Sequence, residues 1–221
     1  QTTAYEMLRS LVGSEMCIRD RFKIAVLISG NGSNLEALID ACKKNVINGS
    51  IDIVISNNPD AYGIQRAKNH SIDYKIIDNN RFKTREDFDR ALVEELEDSN
   101  PDLVVLAGFM RILTSVMTEA FRNKIINIHP SLLPKYPGLD THNSVIKNGD
   151  LKHGITIHFV NEVLDGGQII AQGEISVNAN ETSEELKTRI HAIEHVMLPM
   201  VVSKFADGTI NTEKVIYEKF K

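Results

Sequence analysis

The sequence predicts an α/β protein: a doubly wound, mostly parallel sheet that ends in a C-terminal antiparallel hairpin and a long C-terminal helix. Three observations carry this. From Phe22 onward, short β-branched apolar runs alternate with longer amphipathic segments, the pattern of βαβ units around a parallel sheet. After Gly154 the apolar period changes to two, which marks an antiparallel hairpin. Clusters of glycine, asparagine and proline fall where strands end, the edge of such a sheet on which ligands bind.

The elements follow in order. Ile24-Ala25-Val26-Leu27-Ile28 is continuously apolar, as suits a strand buried on both faces. Leu35, Leu38, Ile39 and Cys42 then recur at helical spacing. Residues 51–55 form a second strand, stopped by the turn cluster Asn57-Asn58-Pro59-Asp60. A short helix over 64–68 and a third strand over 74–77 come next. Thr84-Arg85-Glu86-Asp87 reads as the capped start of a helix running to about Asp98. Residues 103–107 make a fourth strand before Gly108, and 125–128 a fifth that enters a proline-rich loop. A helix over 143–147 precedes a strand over 154–160, a turn at Asp165-Gly166-Gly167 and a returning strand from Gln168. The final helix, capped at Thr182 or Ser183, carries Leu186, Ile190, Ile193, Val196 and Met197 on its apolar stripe. The pattern leaves two options for residues 213–221, an edge strand or a mobile tail.

Composition narrows the function classes. With 42% hydrophobic and 25% charged residues among 221, the chain is neither disordered, nor collagen-like, nor a disulfide scaffold. The net charge of -5 and the lack of any basic run argue against a nucleic-acid partner, and no tryptophan is present to stack on bases. Apolar runs are too short to span a membrane. The two cysteines, Cys17 and Cys42, suit a reducing, cytoplasmic setting. Residues 1–21 lack the order of a signal peptide. Their stretch 12–21 resembles translated sequencing-adapter read-through, so the segment is expected to be a non-native extension without a fold role. Residues 22–221 then form a single domain.

Three motifs carry candidate chemistry. Ser29-Gly30-Asn31-Gly32-Ser33-Asn34 lies between a buried strand and a helix, where glycines allow close approach and unpaired N–H groups attract anions. It lacks the Gly-Lys-Ser/Thr of a P-loop and the third glycine of a dinucleotide fingerprint, which favours a monophosphate. In Asn127-Ile128-His129-Pro130, strand alternation puts a carboxamide and an imidazole on one side. Such a pair can stabilise an oxyanion and move a proton near neutral pH. Leu164-Asp165-Gly166-Gly167 reads first as a turn, because Asp-Gly favours turns on conformational grounds. If that turn folds over His129, Asp165 would stabilise the imidazolium. His191 and His195 stand four apart, as zinc ligands can, but the third ligand and the glutamate of His-Glu-x-x-His are missing. No metal is expected.

Taken together with Ala107-Gly108-Phe109-Met110-Arg111-Ile112-Leu113 and Ser131-Leu132-Leu133-Pro134, these motifs closely resemble the folate-dependent phosphoribosylglycinamide formyltransferases of purine synthesis, over about residues 23–208. The resemblance implies the formyltransferase-like fold and transfer of a formyl group from the co-substrate 10-formyltetrahydrofolate to the amine of phosphoribosylglycinamide. Matching positions imply Asn127, His129 and Asp165 as the catalytic trio. They imply Gly32, Ser33, Asn34 and Glu194 for phosphoribosylglycinamide, and Arg85, Met110, Arg111, Ile112, Leu113 and Asn127 for the folate. Small-molecule substrates and a monomer or weak homodimer are implied, without a nucleic-acid or membrane partner. Some bacterial relatives have His-Thr-His where this chain has Asp140-Thr141-His142, which leaves position 140 without an assigned role. Formyltetrahydrofolate deformylase shares the Asn-x-His and Asp pattern but uses water as acceptor, and that family carries a long N-terminal regulatory domain. A non-catalytic phosphate-binding module would have no need for Asn127, His129 and Asp165 together.

Overall fold

In the computed structural model, which describes residues 21–210 and 214–220, the first apolar run becomes β1 (Phe22–Ile28) and is buried on both faces as its composition requires. Ile24, Val26 and Ile28 point into one core, and Ala25 and Leu27 into the other. The chain continues through α1 (Ser33–Lys43), β2 (Gly49–Ser56), α2 (Tyr62–Asn69), β3 (Asp73–Ile76), α3 (Arg85–Ser99) and β4 (Leu103–Leu106). Then come α4 (Ser115–Ala120), β5 (Ile125–His129), α5 (Thr141–Asn148), β6 (Lys152–Phe159), β7 (Ile169–Ser176), α6 (Ser183–Ala206) and β8 (Ile216–Lys219). The strands make one sheet in the order β3-β2-β1-β4-β5-β6-β7-β8.

β1 to β5 pair in parallel, β6 runs antiparallel to both neighbours, and β8 pairs parallel to β7. α1, α2, α5 and α6 cover one face with residues such as Leu35, Leu38, Val145, Leu186 and Ile190, while α3 and α4 cover the other with Phe88, Leu92, Leu96 and Met117. This is the doubly wound architecture expected from the alternation of strands and helices. Between β1 and β4 the strand order reverses, so the loops after these two strands diverge and open a crevice. The Ser29 hydroxyl spans it, accepting the Met110 N–H at 2.7 Å.

Several details differ from the sequence expectations. Ala107 and Ile77 fall outside their strands, and the short α4 has too few residues for its periodicity to register. The final helix extends past Met197 to Ala206 with Pro199 inside it. Val196 is 58% exposed rather than on the apolar stripe, because Leu186, Ile190, Ile193 and Met197 already fill the face toward the sheet. Of the two options for the last residues, the edge strand is the one observed, and α6 makes it parallel to β7 by acting as the crossover helix. The expected extension over 1–21 lies outside the described residues except for Arg21.

α6 begins with a reciprocal cap. The Glu185 N–H donates to the Thr182 hydroxyl oxygen at 3.3 Å, and the Thr182 N–H donates to Glu185 Oε2 at 2.8 Å. Thr182→Ala removes one half of this exchange. It should cost about 1 kcal/mol and lower the melting temperature by about 2–4 °C in a chain of this size, measured by differential scanning calorimetry.

Candidate functional site

The loop after β1 is shaped by close packing against α2. Gly32 has φ +73°, and a Cβ there would meet the Gly63 Cα at 2.7 Å, so both the backbone angle and the space demand glycine. The Gly63 N–H donates to the Gly30 carbonyl at 3.0 Å, and Arg66 Nε donates to the Asn31 carbonyl at 2.9 Å. No side chain caps α1, so its first N–H groups remain available beside Ser33 and Asn34. Arg66 is itself neutralised by Glu36 at 2.9 Å. An open cleft of about 520 Å³ runs from Ser33 and Arg66 along α1 to His195.

Asn34 joins this loop to α6. Its Nδ2 donates to Glu194 Oε2 at 2.9 Å, while its Oδ1 is buried without a partner in the protein. Glu194 is 5% exposed, and burial pushes its carboxyl up to about 7, with the Asn34 hydrogen bond pulling the other way. The two residues implied for one substrate by resemblance are therefore in direct contact, 160 positions apart.

The second cluster forms where β5 meets β6. Asn127 and His129 lie two apart on β5, and antiparallel register sets Asn127 opposite His158 and His129 opposite Thr156. The Asn127 amide nitrogen is 3.2 Å from His158 Nε2, and His158 Nδ1 is 2.8 Å from the Phe159 carbonyl. The loop between β6 and β7 folds back over β5. It places Asp165 Oδ2 3.4 Å from His129 Nδ1, with Asp165 Oδ1 3.7 Å from His158 Nε2. His129 and Asp165 side chains are only 6% and 8% exposed. Asp165 Oδ2 also accepts the Gly138 N–H at 2.7 Å, and His129 Nε2 donates to the Tyr136 carbonyl at 2.8 Å. An acceptor thus faces each ring nitrogen of His129.

Local chemistry holds this geometry. A Cβ on Gly167 would sit 1.6 Å from the Phe159 carbonyl oxygen, so only glycine lets the returning chain pass here. The Thr156 hydroxyl donates to the Ser131 carbonyl at 2.7 Å and accepts the Leu133 N–H at 3.0 Å, which fixes the loop that leaves His129. On the other side, buried Asp89 on α3 accepts both the N–H and the hydroxyl of Thr114, at 2.6 and 2.7 Å, and anchors the end of the loop after β4. Burial is the largest influence on Asp89 and raises its pKa.

Asn127, Asp165 and His158 line a cavity of about 80 Å³ together with Phe109, Arg111, Ile112 and Leu113. Of the residues implied for the folate, Arg111, Ile112, Leu113 and Asn127 therefore share one cavity. Met110 does not line it; its side chain is 64% exposed. Arg85 stands exposed at the first turn of α3, also outside the lining. His129 touches the cavity's Asp165 without lining the cavity itself. Sequence pattern alone does not single out His158, one of seven histidines. The usable signal was its place in the period-two run beside Thr156, but the identity of the facing strand is a tertiary fact. Among the described residues no group of three or more His, Cys, Asp or Glu side chains could hold a metal, and no helix is long and apolar enough to cross a membrane.

The raised Glu194 pKa has a consequence for stability. Between its unfolded value of 4.5 and about 7, the folded chain holds a proton that the unfolded chain has lost. Stability is therefore lost as pH rises through this window and levels off above it. Relative to Glu194→Gln, which keeps an acceptor for Asn34 without titrating, the native chain should lose on the order of 3 kcal/mol between pH 4.5 and pH 8. Urea unfolding of both proteins across this range measures the difference.

Comparison with known proteins supplies the family. Residues 22–202 match the Formyl transferase family. The phosphoribosylglycinamide formyltransferase of Escherichia coli (strain K12) is 48% identical over 187 residues, covering 85% of this chain and 88% of that protein. A solved phosphoribosylglycinamide formyltransferase from Coxiella burnetii superposes with a TM-score of 0.82 at 45% identity, over 86% of this chain and 89% of that one. The solved glycinamide ribonucleotide transformylase 1 of Symbiobacterium toebii gives 0.83 at 43% identity, over 85% and 88%. With the family match, the fold and this degree of identity in agreement, the chain belongs to the formyl transferase family.

Proposed function

We propose that this protein transfers a formyl group from 10-formyltetrahydrofolate to the glycinamide amine of phosphoribosylglycinamide. The observation that carries the reading is the convergence of Asn127, His129 and Asp165 from two distant segments at the end of β5. Relatives of nearly equal length named for this activity support it.

The two clusters divide the work. The loop over 29–34 would take the substrate phosphate on the N–H groups at the start of α1, with Ser33 as an added donor. Asn34 and Glu194 would meet the ribose, and a substrate hydroxyl would satisfy the unpaired Asn34 Oδ1. The folate's pterin would enter among Arg111, Ile112 and Leu113. This arrangement directs the amine from one side and the formyl carbon from the other toward Asn127.

In the reaction, the amine nitrogen attacks the formyl carbon and the carbonyl electrons move onto oxygen. Asn127 donates an N–H to that oxyanion, and the proton-bearing His129 adds positive charge balanced by Asp165. Collapse of the tetrahedral species breaks the bond to the folate nitrogen. The attacking amine loses a proton and the departing nitrogen gains one, with His129 or a water molecule as carrier.

The direct test is formyl transfer measured with phosphoribosylglycinamide and a 10-formyl folate, with a control lacking the amine. Folate released only in the presence of the amine is the expected result; equal release without it would instead identify a deformylase. In the same assay, Asn127→Ala should lose about 100- to 1000-fold in kcat with both substrates saturating. His129→Ala should lose about 100- to 10,000-fold while its circular dichroism spectrum remains native.

A further inference from the structure

We infer that His158, a residue with no role assigned above, is a positioning residue for the reaction: as a fixed hydrogen-bond acceptor it orients the Asn127 carboxamide so that a donor faces the oxyanion. The inference rests on the proposed formyl transfer and on Asn127 as an oxyanion donor.

The tautomer follows from the contacts. His158 Nδ1 lies 2.8 Å from the Phe159 carbonyl oxygen, which can only accept, so Nδ1 carries the hydrogen. In the neutral ring Nε2 is then an acceptor, and the group 3.2 Å away is the Asn127 amide nitrogen, which can only donate. One amide hydrogen is spent on His158. The second lies in the same amide plane, and Asn127 lines the cavity together with Asp165. The other tautomer would set two acceptors against each other at 2.8 Å and give nothing in return, because Asp165 Oδ1 at 3.7 Å is beyond hydrogen-bond reach.

A permanently charged His158 would also fail. It would present an N–H to the Asn127 nitrogen and turn the amide round, pointing its oxygen at the imidazole and taking a donor from the cavity. The surroundings resist this. The His158 side chain is 3% exposed, and burial is the largest influence on its pKa, which lies below the ordinary imidazole value. The Phe159 carbonyl and Asp165 act upward and His129 acts downward. His158 is also built in: the backbone of Gly167 passes against the Phe159 carbonyl, and a Cβ there would lie 3.4 Å from His158 Nδ1. The role differs from that of His129, which contacts the carboxylate of Asp165 more closely.

Two amides separate the functions of the ring. In His158→Gln the side-chain oxygen reaches about as far as Nε2 and can accept from Asn127. In His158→Asn the shorter amide reaches about as far as Nδ1, keeping a donor for Phe159 but removing the acceptor. His158→Gln should keep kcat within about threefold of the native chain, and His158→Asn should lower it about 10- to 100-fold, with both KM values within about twofold. Added to Asn127→Ala, His158→Asn should change kcat by less than about threefold, because its partner is already gone. Equal kcat values for the two single variants would overturn the inference. So would a His158→Asn loss undiminished in the Asn127→Ala background, which is what a purely structural role gives. An Asn127→Ala protein with native kcat would overturn the assignment of Asn127 and the inference with it. Long-range ¹⁵N–¹H spectra of the native full chain at neutral pH add a readout independent of folding variants: Nδ1 protonated and Nε2 bare is expected, and the reverse overturns the proposal.

Discussion

The antiparallel pairing of β5 with β6 is the constraint on which the reaction centre depends. Its register sets Asn127 against His158 and His129 against Thr156, so each residue of the Asn-Ile-His segment is held by a specific opposite number. A slip of one residue would reverse the faces of β6, putting Ile157 where His158 stands and removing Thr156 from the loop that follows His129. Because β6 is antiparallel, its following loop leaves beside Ile125 at the start of β5 and must fold back along the strand to bring Asp165 to His129. A continuation of the parallel pattern would have needed a crossover connection in place of this direct pairing.

The substrate loop depends on different physics. Around Gly32 the backbone is fixed by contact with Gly63 and by hydrogen bonds from Arg66, not by burial of large side chains. A buried amide–carboxyl contact between Asn34 and Glu194 joins it to α6. Burying a carboxyl costs free energy, and Glu194 answers by holding its proton toward neutral pH. The unsatisfied Asn34 Oδ1 beside it is a second local cost. Asn34 sits on α1 and Glu194 on α6, and the other buried residues of these two packed helices are apolar, so rigid apolar surroundings support the least relaxed polar pair.

Histidine has opposite roles within a few ångströms. His129 stands between a carbonyl and a carboxylate and is suited to carry a proton. His158 stands between a carbonyl and an amide N–H and is suited to stay neutral. The side chains are chemically identical; their partners separate the two functions. Asp165 lies beside both rings, 3.4 Å from His129 Nδ1 and 3.7 Å from His158 Nε2.

By itself the sequence determined what depends on local pattern. The continuous run 24–28 suited a strand covered on both sides, Thr182 or Ser183 marked the start of the last helix, and the motifs over 29–34, 127–134 and 164–167 were legible because glycine, proline and polar residues break apolar periodicity. Alternation alone brought Asn127 and His129 to one side of their strand. Tertiary structure decided which segments meet. It set β6 beside β5, brought Glu194 to Asn34 across 160 positions, turned Val196 outward, and gave His158 its partners. Periodicity says which face of a strand or helix is polar, but it carries no address for the element that will cover that face. Burial, register and the direction of the returning chain supply that address only once the whole sheet has closed.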